Sequence, residues 1–134
     1  VLPLSLEEQL KEQMEAPMVR LRYACAIDVM QGKLRMLNAD LTEQKNRQVV
    51  RSMSARIKST DSIIKKLLRK GREVTFEEAV ETLNDIAGIR VVCYFCDDIY
   101  EVAELIRRQK DIKIRKEKDY VKNPKKRRIS SNYV

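Results

Sequence analysis

The chain has 134 residues, with 28 Lys or Arg against 20 Asp or Glu, three Cys, three Gly, three Pro and no His. That length suits one core, and the composition excludes a disordered, fibrous, disulfide-framed or bilayer-spanning chain. It leaves a helix-rich protein of a reducing, cytoplasmic setting, with no secretion signal and no membrane partner. Without His, the Ser-His-Asp and Cys-His mechanisms, His-ligated zinc and His-Asp metal hydrolases fall away, so any reaction must run on carboxylates, Lys, Arg and a bound metal.

Ser5 with Glu8 reads as a capping box that opens a helix over residues 6–15, and Pro17 ends it or starts the next. Leu21, Cys25, Val29, Leu34 and Leu37 recur at helical spacing over residues 18–38, with a soft spot at Gly32. A further helix is expected over residues 41–53. Ser59 caps a helix over residues 60–70 that Gly71 stops. Around its axis Ile63, Ile64, Leu67 and Leu68 fill one arc, and Ser62, Lys65, Lys66 and Arg69 the opposite one. Thr75 with Glu78 opens a helix over residues 76–84. Residues 89–95 form an apolar, β-branched and aromatic run with the look of a strand buried on both faces. Asp97 caps a helix over residues 98–109, and residues 112–118 alternate weakly, like an exposed strand. Helix and strand in alternation predict an α/β layer, with no internal repeat.

Four groups of residues could carry chemistry. In Asn84-Asp85-Ile86-Ala87-Gly88-Ile89-Arg90 an acid enters a buried strand and a cation lies within it. A buried charge is costly unless paired or holding a ligand. Asp85 is either a hard oxygen ligand suited to Mg²⁺, with Arg90 suited to phosphate, or half of a structural ion pair with Arg90. Arg56-Ile57-Lys58-Ser59, followed by Ser62, Lys66 and Arg69, is either a polyphosphate cradle beside a helix N-terminus or a solvated basic face. No Walker glycine loop is present. Cys93 and Cys96 have CxxC spacing but no second pair, and read as buried small apolar residues rather than as a redox pair.

The last group is the basic end. Residues 105–134 hold twelve Lys or Arg and three acids, a surplus of nine, so the first 104 residues are nearly neutral. Lys122-Asn123-Pro124-Lys125-Lys126-Arg127-Arg128 beside Tyr120, with Tyr133 further on, is a basic loop that can hold phosphates and stack bases. It is equally open to reading as a solvated tail, or as the grip of a non-catalytic module on RNA or another polyanion.

Taken in order, Arg56-Ile57-Lys58-Ser59, Ser62-Ile63, Lys66, Arg69-Lys70-Gly71, Asn84-Asp85-Ile86-Ala87-Gly88-Ile89-Arg90, Asp97-Asp98-Ile99-Tyr100 and Lys118-Asp119-Tyr120-Val121-Lys122-Asn123-Pro124-Lys125 resemble the synthetase domain of the RelA/SpoT family. The likeness is strongest to its small alarmone synthetases, GTP pyrophosphokinases, and runs from about Tyr23 to Lys125. It implies a nucleotidyltransferase-like mixed β-sheet flanked by helices, with a helical N-terminal region. It also implies transfer of the β,γ-pyrophosphate of ATP to the 3′-hydroxyl of GTP or GDP, making (p)ppGpp in the stringent response. By that resemblance Asp85 matches the Mg²⁺-binding acid and Arg56 and Arg90 the arginines that hold adenine. Lys58, Ser62, Lys66 and Arg69 match the side chains that face the triphosphate, and Lys122 and Lys125 fall on the acceptor-nucleotide side. Assembly as a homotetramer and regulation by RNA or an alarmone are further implications.

The family's Asn-Gly-Tyr-Arg-Ser stretch after Asn-Pro-Lys is replaced here by Lys126-Arg127-Arg128-Ile129-Ser130-Ser131, and its later Glu has no counterpart. The expected organisation is one synthetase domain, incomplete on its acceptor side. It comprises a helical lead-in over residues 1–53, an ATP- and Mg²⁺-binding α/β part over 54–122 and a divergent basic tail over 123–134.

Overall fold

Side chains that cap and side chains that turn set most element ends. The computed structural model describes residues 3–123. Helix α1 (Leu6–Glu15) starts where Ser5 Oγ accepts from the Glu8 N–H at 3.2 Å, and Glu7 and Glu8 sit against its positive end. Pro17 opens α2 (Pro17–Lys45), a position where its missing N–H costs nothing. The helix runs 29 residues, about 43 Å, straight through Gly32.

At this point the structure departs from the sequence reading. No separate helix spans residues 41–53, since α2 runs without a break through residues 38–45. Helix α2 ends at Lys45, Asn46 turns the backbone with φ 53°, and β1 (Val50–Ile57) follows. The β-branched pair Val49 and Val50 and the poor helix formers Ser52 and Ser54 favour extension there. The Asn38 side-chain oxygen also accepts from the Val50 N–H at 3.1 Å, fixing the strand's start against the preceding helix.

Helix α3 (Thr60–Arg69) is capped by Ser59, whose Oγ accepts from the Ser62 N–H at 3.2 Å, and Gly71 follows it at φ 65°. Helix α4 (Phe76–Thr82) is capped in the same way by Thr75. Strand β2 (Ala87–Cys93) pairs with β1. The Lys58 N–H donates to the Ile86 carbonyl at 2.6 Å and the Tyr94 N–H to the Val49 carbonyl at 3.1 Å, so the two strands run antiparallel. With one neighbour among the described residues, β2 is part-covered rather than buried on both faces, and Arg90 is exposed.

Helix α5 (Cys96–Arg107) begins two residues earlier than expected. Phe95 holds the cap position without a side-chain bond, having no polar atom to offer, and the expected cap Asp97 lies inside the first turn. Residues 112–118 form no strand. Their alternation is present in the sequence, but no partner strand lies among the described residues. Lys125, the rest of the basic run and Tyr133 lie outside the described residues.

The contacts divide the chain into two compact units, residues 1–30 with 55–89 and residues 31–54 with 90–134, and the division falls within α2, β1 and β2. In the first unit α1 packs on α3 and α4 around Leu10, Met14, Ile63, Leu67, Val74, Ala79, Leu83 and Ile86, with Leu10, Ile63, Leu67 and Ala79 wholly inaccessible. In the second, Leu34, Leu37, Leu41, Val49, Cys93, Ile99, Val102 and Ala103 are buried. Among the described residues no helix is long and apolar enough to cross a membrane.

Candidate functional site

The site grows from the strand ends. Lys58 leaves β1, Asp85 sits two residues before β2, and the backbone bond from Lys58 to Ile86 registers one against the other. Ile63 and Leu67 anchor α3 in the core, which turns Lys66 toward the same point. Lys58 Nζ and Lys66 Nζ both donate to Asp85 Oδ2, each at 2.8 Å. The acid is therefore ion-paired, as one sequence reading held, but through Lys58 and Lys66.

Asp85 Oδ1 differs from Oδ2. It has no solvent access and no hydrogen-bond partner, although the side chain as a whole is part-exposed. Burial pushes the carboxyl pKa up, but the hydrogen bonds and charges of Lys58 and Lys66 outweigh it and bring it down to about 2. Asp85 is thus an anion at neutral pH with one oxygen committed and one open. Among the described residues no cluster of three or more acids or Cys surrounds it.

Beside this triad lies an open cavity of about 730 Å³ lined by Lys58, Ser62, Lys65, Leu68 and Arg69. Ser62 Oγ accepts from Ser59 Oγ at 2.9 Å at the capped start of α3. Lys58 belongs to both arrangements, and Lys66 belongs to the triad alone. Of the remaining residues named from sequence, Arg56 is exposed on β1 in this same unit. Arg90 on β2 and Lys122 belong to the second unit. Lys122 is exposed, and its N–H donates to Asp119 Oδ1 at 2.9 Å.

Sequence reading passed over two lining residues. Lys65 stood on the predicted cationic arc and could have been included. Leu68 was placed on the packing arc, yet it is 57% exposed on the cavity wall, while Ile63 and Leu67, with Ile64 part-buried beside them, make the core contact. Cys96 is exposed, not buried, since it opens α5, while Cys93 is buried and its thiol pKa is pushed up by that burial.

The second unit holds a polar centre that the sequence did not announce. Asp98 is wholly inaccessible and takes a two-pronged contact from Arg47, at 2.7 and 2.8 Å, with Lys45 at 3.4 Å. Lys45 also reaches Glu101 at 2.7 Å, and Arg47 stacks 4.7 Å over the Phe95 ring. Nearby, Tyr100 Oη donates to Asp119 Oδ2 at 2.7 Å, and Asp119 Oδ1 accepts from the Val121 and Lys122 N–H groups, organising the turn at 119–123.

The hydrogen bond from Arg47 holds the Asp98 carboxyl below the ordinary range against the upward push of burial. A depressed carboxyl stabilises the fold above its unfolded value of about 4 and ceases to do so as pH falls through its folded value. Asp98→Asn is therefore expected to lower the melting temperature at pH 7 and to narrow the gap from the parent as pH drops below about 4. Melting curves at pH 7, 5 and 3 check this.

Comparison with known proteins gives the chain's relatives. Residues 55–134 match the region found in RelA / SpoT proteins. GTP pyrophosphokinase YwaC of Bacillus subtilis is 36% identical over 103 residues, covering 77% of this chain and 49% of that protein. GTP pyrophosphokinase YjbM of the same organism is 30% identical over 99 residues, 74% of this chain and 46% of that protein. The crystal structure of the small alarmone synthetase 1 from Bacillus subtilis bound to its product pppGpp superposes with TM-score 0.71 at 31% identity, covering 86% of this chain and 57% of that one.

The α/β fold with helical flanks is of nucleotidyltransferase-like architecture, with a cation-lined cavity beside a lone carboxylate. The chain belongs to the RelA/SpoT family. It spans about half the length of the curated relatives it matches.

Proposed function

We propose that this chain forms the ATP-binding part of a GTP pyrophosphokinase, an enzyme that moves the β,γ-pyrophosphate of ATP to GTP or GDP and so makes (p)ppGpp. In that reaction the 3′-hydroxyl oxygen of the acceptor attacks the β-phosphorus of ATP. The bond from that phosphorus to the α,β-bridging oxygen breaks, AMP leaves with the oxygen, and the hydroxyl proton is released. Such a transfer depends on in-line placement and charge stabilisation, not on a covalent protein intermediate, which suits a sequence without His.

The observation that carries the reading is the Asp85 triad beside the cationic cavity. Lys58, Ser62, Lys66 and Arg69 hold and orient the triphosphate, and Arg56 and Arg90 grip the adenine. Lys122 and Lys125 are assigned to the acceptor nucleotide on the family resemblance alone. Asp85 fits a divalent ion: it is ionised, oxygen-donating, and keeps Oδ1 buried and unpartnered. Bound there, Mg²⁺ supplies neutralisation of phosphate charge as the leaving group departs. Mg²⁺ sites of this kind use one or two carboxylates and complete themselves with phosphates and water.

The sites of Asp85, Arg56 and Arg90, the Mg²⁺ ion, a cytoplasmic setting and regulation by RNA or an alarmone are parts of the same reading. So is a homotetramer, which the exposed Met18, Leu21, Val29 and Met36 along α2 support. The alternative, a basic module gripping a polyanion, rests on the terminal charge surplus. Two of those cations are already engaged, Arg107 by Glu104 and Glu117 and Arg108 by Glu104.

Calorimetric titration of the chain with ATP in Mg²⁺ is expected to show saturable one-to-one binding. Addition of GDP or GTP to protein that also carries the acceptor side should release AMP and pyrophosphorylated guanosine. No ATP binding up to millimolar nucleotide overturns the reading.

A further inference from the structure

Two ammonium groups on one carboxylate oxygen leave the Asp85 cluster with a net charge of +1, before Lys65 and Arg69 on the cavity wall are added. That field repels a free divalent cation and attracts a polyphosphate. Yet Asp85 Oδ1 is kept buried and unpartnered, a state that is costly for an oxygen with nothing to accept. The carboxylate is thus shielded by positive charge on one oxygen and reserved on the other.

We infer that Lys58 and Lys66 are placeholders for the metal: the nucleotide-free protein takes up a polyphosphate first, and a divalent cation reaches Asp85 only as the two ammonium groups turn from the carboxylate onto the phosphates. The inference rests on the function proposed above and deepens it by fixing the order of binding. Lys58 already lines the cavity while bonded to Asp85, so its ammonium has both destinations within its own reach. Lysine suits the exchange, since its charge sits on a flexible stem with three rotatable donors, whereas an arginine fork would hold the carboxylate in place. Because binding energies are coupled reciprocally, whatever the phosphates do for metal affinity the metal does for nucleotide affinity.

Each lysine therefore acts with opposite sign on the two ligands. Removing Lys66 leaves Asp85 and Lys58 as a neutral pair, which admits a bare cation more readily and holds a bare polyphosphate less well. A purely structural lysine has no such split.

The test uses the full chain, with Mn²⁺ followed by electron paramagnetic resonance and α,β-methylene-ATP followed by calorimetry. In the parent protein the analogue is expected to bind in EDTA. Mn²⁺ alone is expected to remain free at concentrations that saturate the protein once the analogue is present. Lys66→Met should raise the affinity for Mn²⁺ alone by about tenfold and lower that for the analogue in EDTA by a similar factor, well inside the range of ordinary site coupling. Lys58→Met, checked for folding by circular dichroism alongside Lys66→Met, should do the same and stands in if the first variant unfolds.

Mn²⁺ binding to the parent protein as tightly without the analogue as with it overturns the inference, as does unchanged or weakened Mn²⁺ affinity in both folded variants. An analogue that binds with metal but not in EDTA overturns the order and leaves the ATP-binding reading intact. An analogue that binds under neither condition overturns that reading as well.

Discussion

Asp85→Asn is expected to abolish the metal-dependent part of ATP binding while leaving, or strengthening, binding of ATP in EDTA. The substitution keeps the size of the side chain and removes its charge. Loss of the anionic ligand is expected to weaken binding in Mg²⁺ by about 30-fold, or about 2 kcal/mol. In EDTA the effect reverses. Lys58 and Lys66 lose the carboxylate they share and become two uncompensated cations facing the phosphates. Paired titrations with Mg²⁺ and with EDTA check both halves. Equal loss in the two conditions would show that Asp85 organises the lysines and holds no metal. Because the Asp85 carboxyl lies at about 2, its charge persists through the mildly acidic range, and no loss of metal dependence traceable to it is expected above about pH 4.

The second large effect concerns stability. Leu67 is wholly buried between α3 and the α1–α4 side of the first unit, one residue from Lys66 and one turn from Ile63. Leu67→Ala removes three carbons from a close-packed core and leaves a cavity, so it should cost about 2–5 kcal/mol. In a chain of this size that corresponds to a melting point lower by about 8–20 °C. The exposed neighbour Leu68→Ala, on the same helix, is the internal control: it should move the melting point little and act on ligand binding through the cavity wall instead. Thermal melts of the two variants side by side check the assignment. Equal destabilisation would mean that Leu68 also belongs to the core contact of α3.

The sequence made local features legible. Ser5, Ser59 and Thr75 cap their own helices, and the starts of α1, α3 and α4 follow from residues three positions apart. Strand β1 was hidden for the opposite reason. Its half-buried residues Val50, Met53 and Ile57 are spaced as they would be on a helix, and what makes the segment a strand is pairing with β2 some thirty residues on. Residues 112–118 show the converse, an alternation with no strand to meet. At the site, Asp85, Lys58, Ser62, Lys66 and Arg69 could all be named in advance from order and residue type. That two lysines share one oxygen and leave the other bare could not, since it depends on how the core rolls α3. Asp98 read only as the first residue of the helix that Asp97 was expected to cap. Its burial under Arg47 became visible only once α2 stopped at Asn46.

The backbone bond between Lys58 and Ile86 has a bearing on how such chains tolerate insertions and deletions. Lys58 and Asp85 are 27 positions apart, but their meeting is set by the pairing of β1 with β2 and not by that interval. Extra residues beside the exposed Arg72 and Glu73, in the connection after Gly71, lengthen a loop and leave the acid where it is. A single residue gained or lost inside either strand shifts the pairing and turns its side chains to the opposite face. Homologous chains can therefore differ freely in length at the loop, while a one-residue frame change in the ladder separates the carboxylate from its lysine.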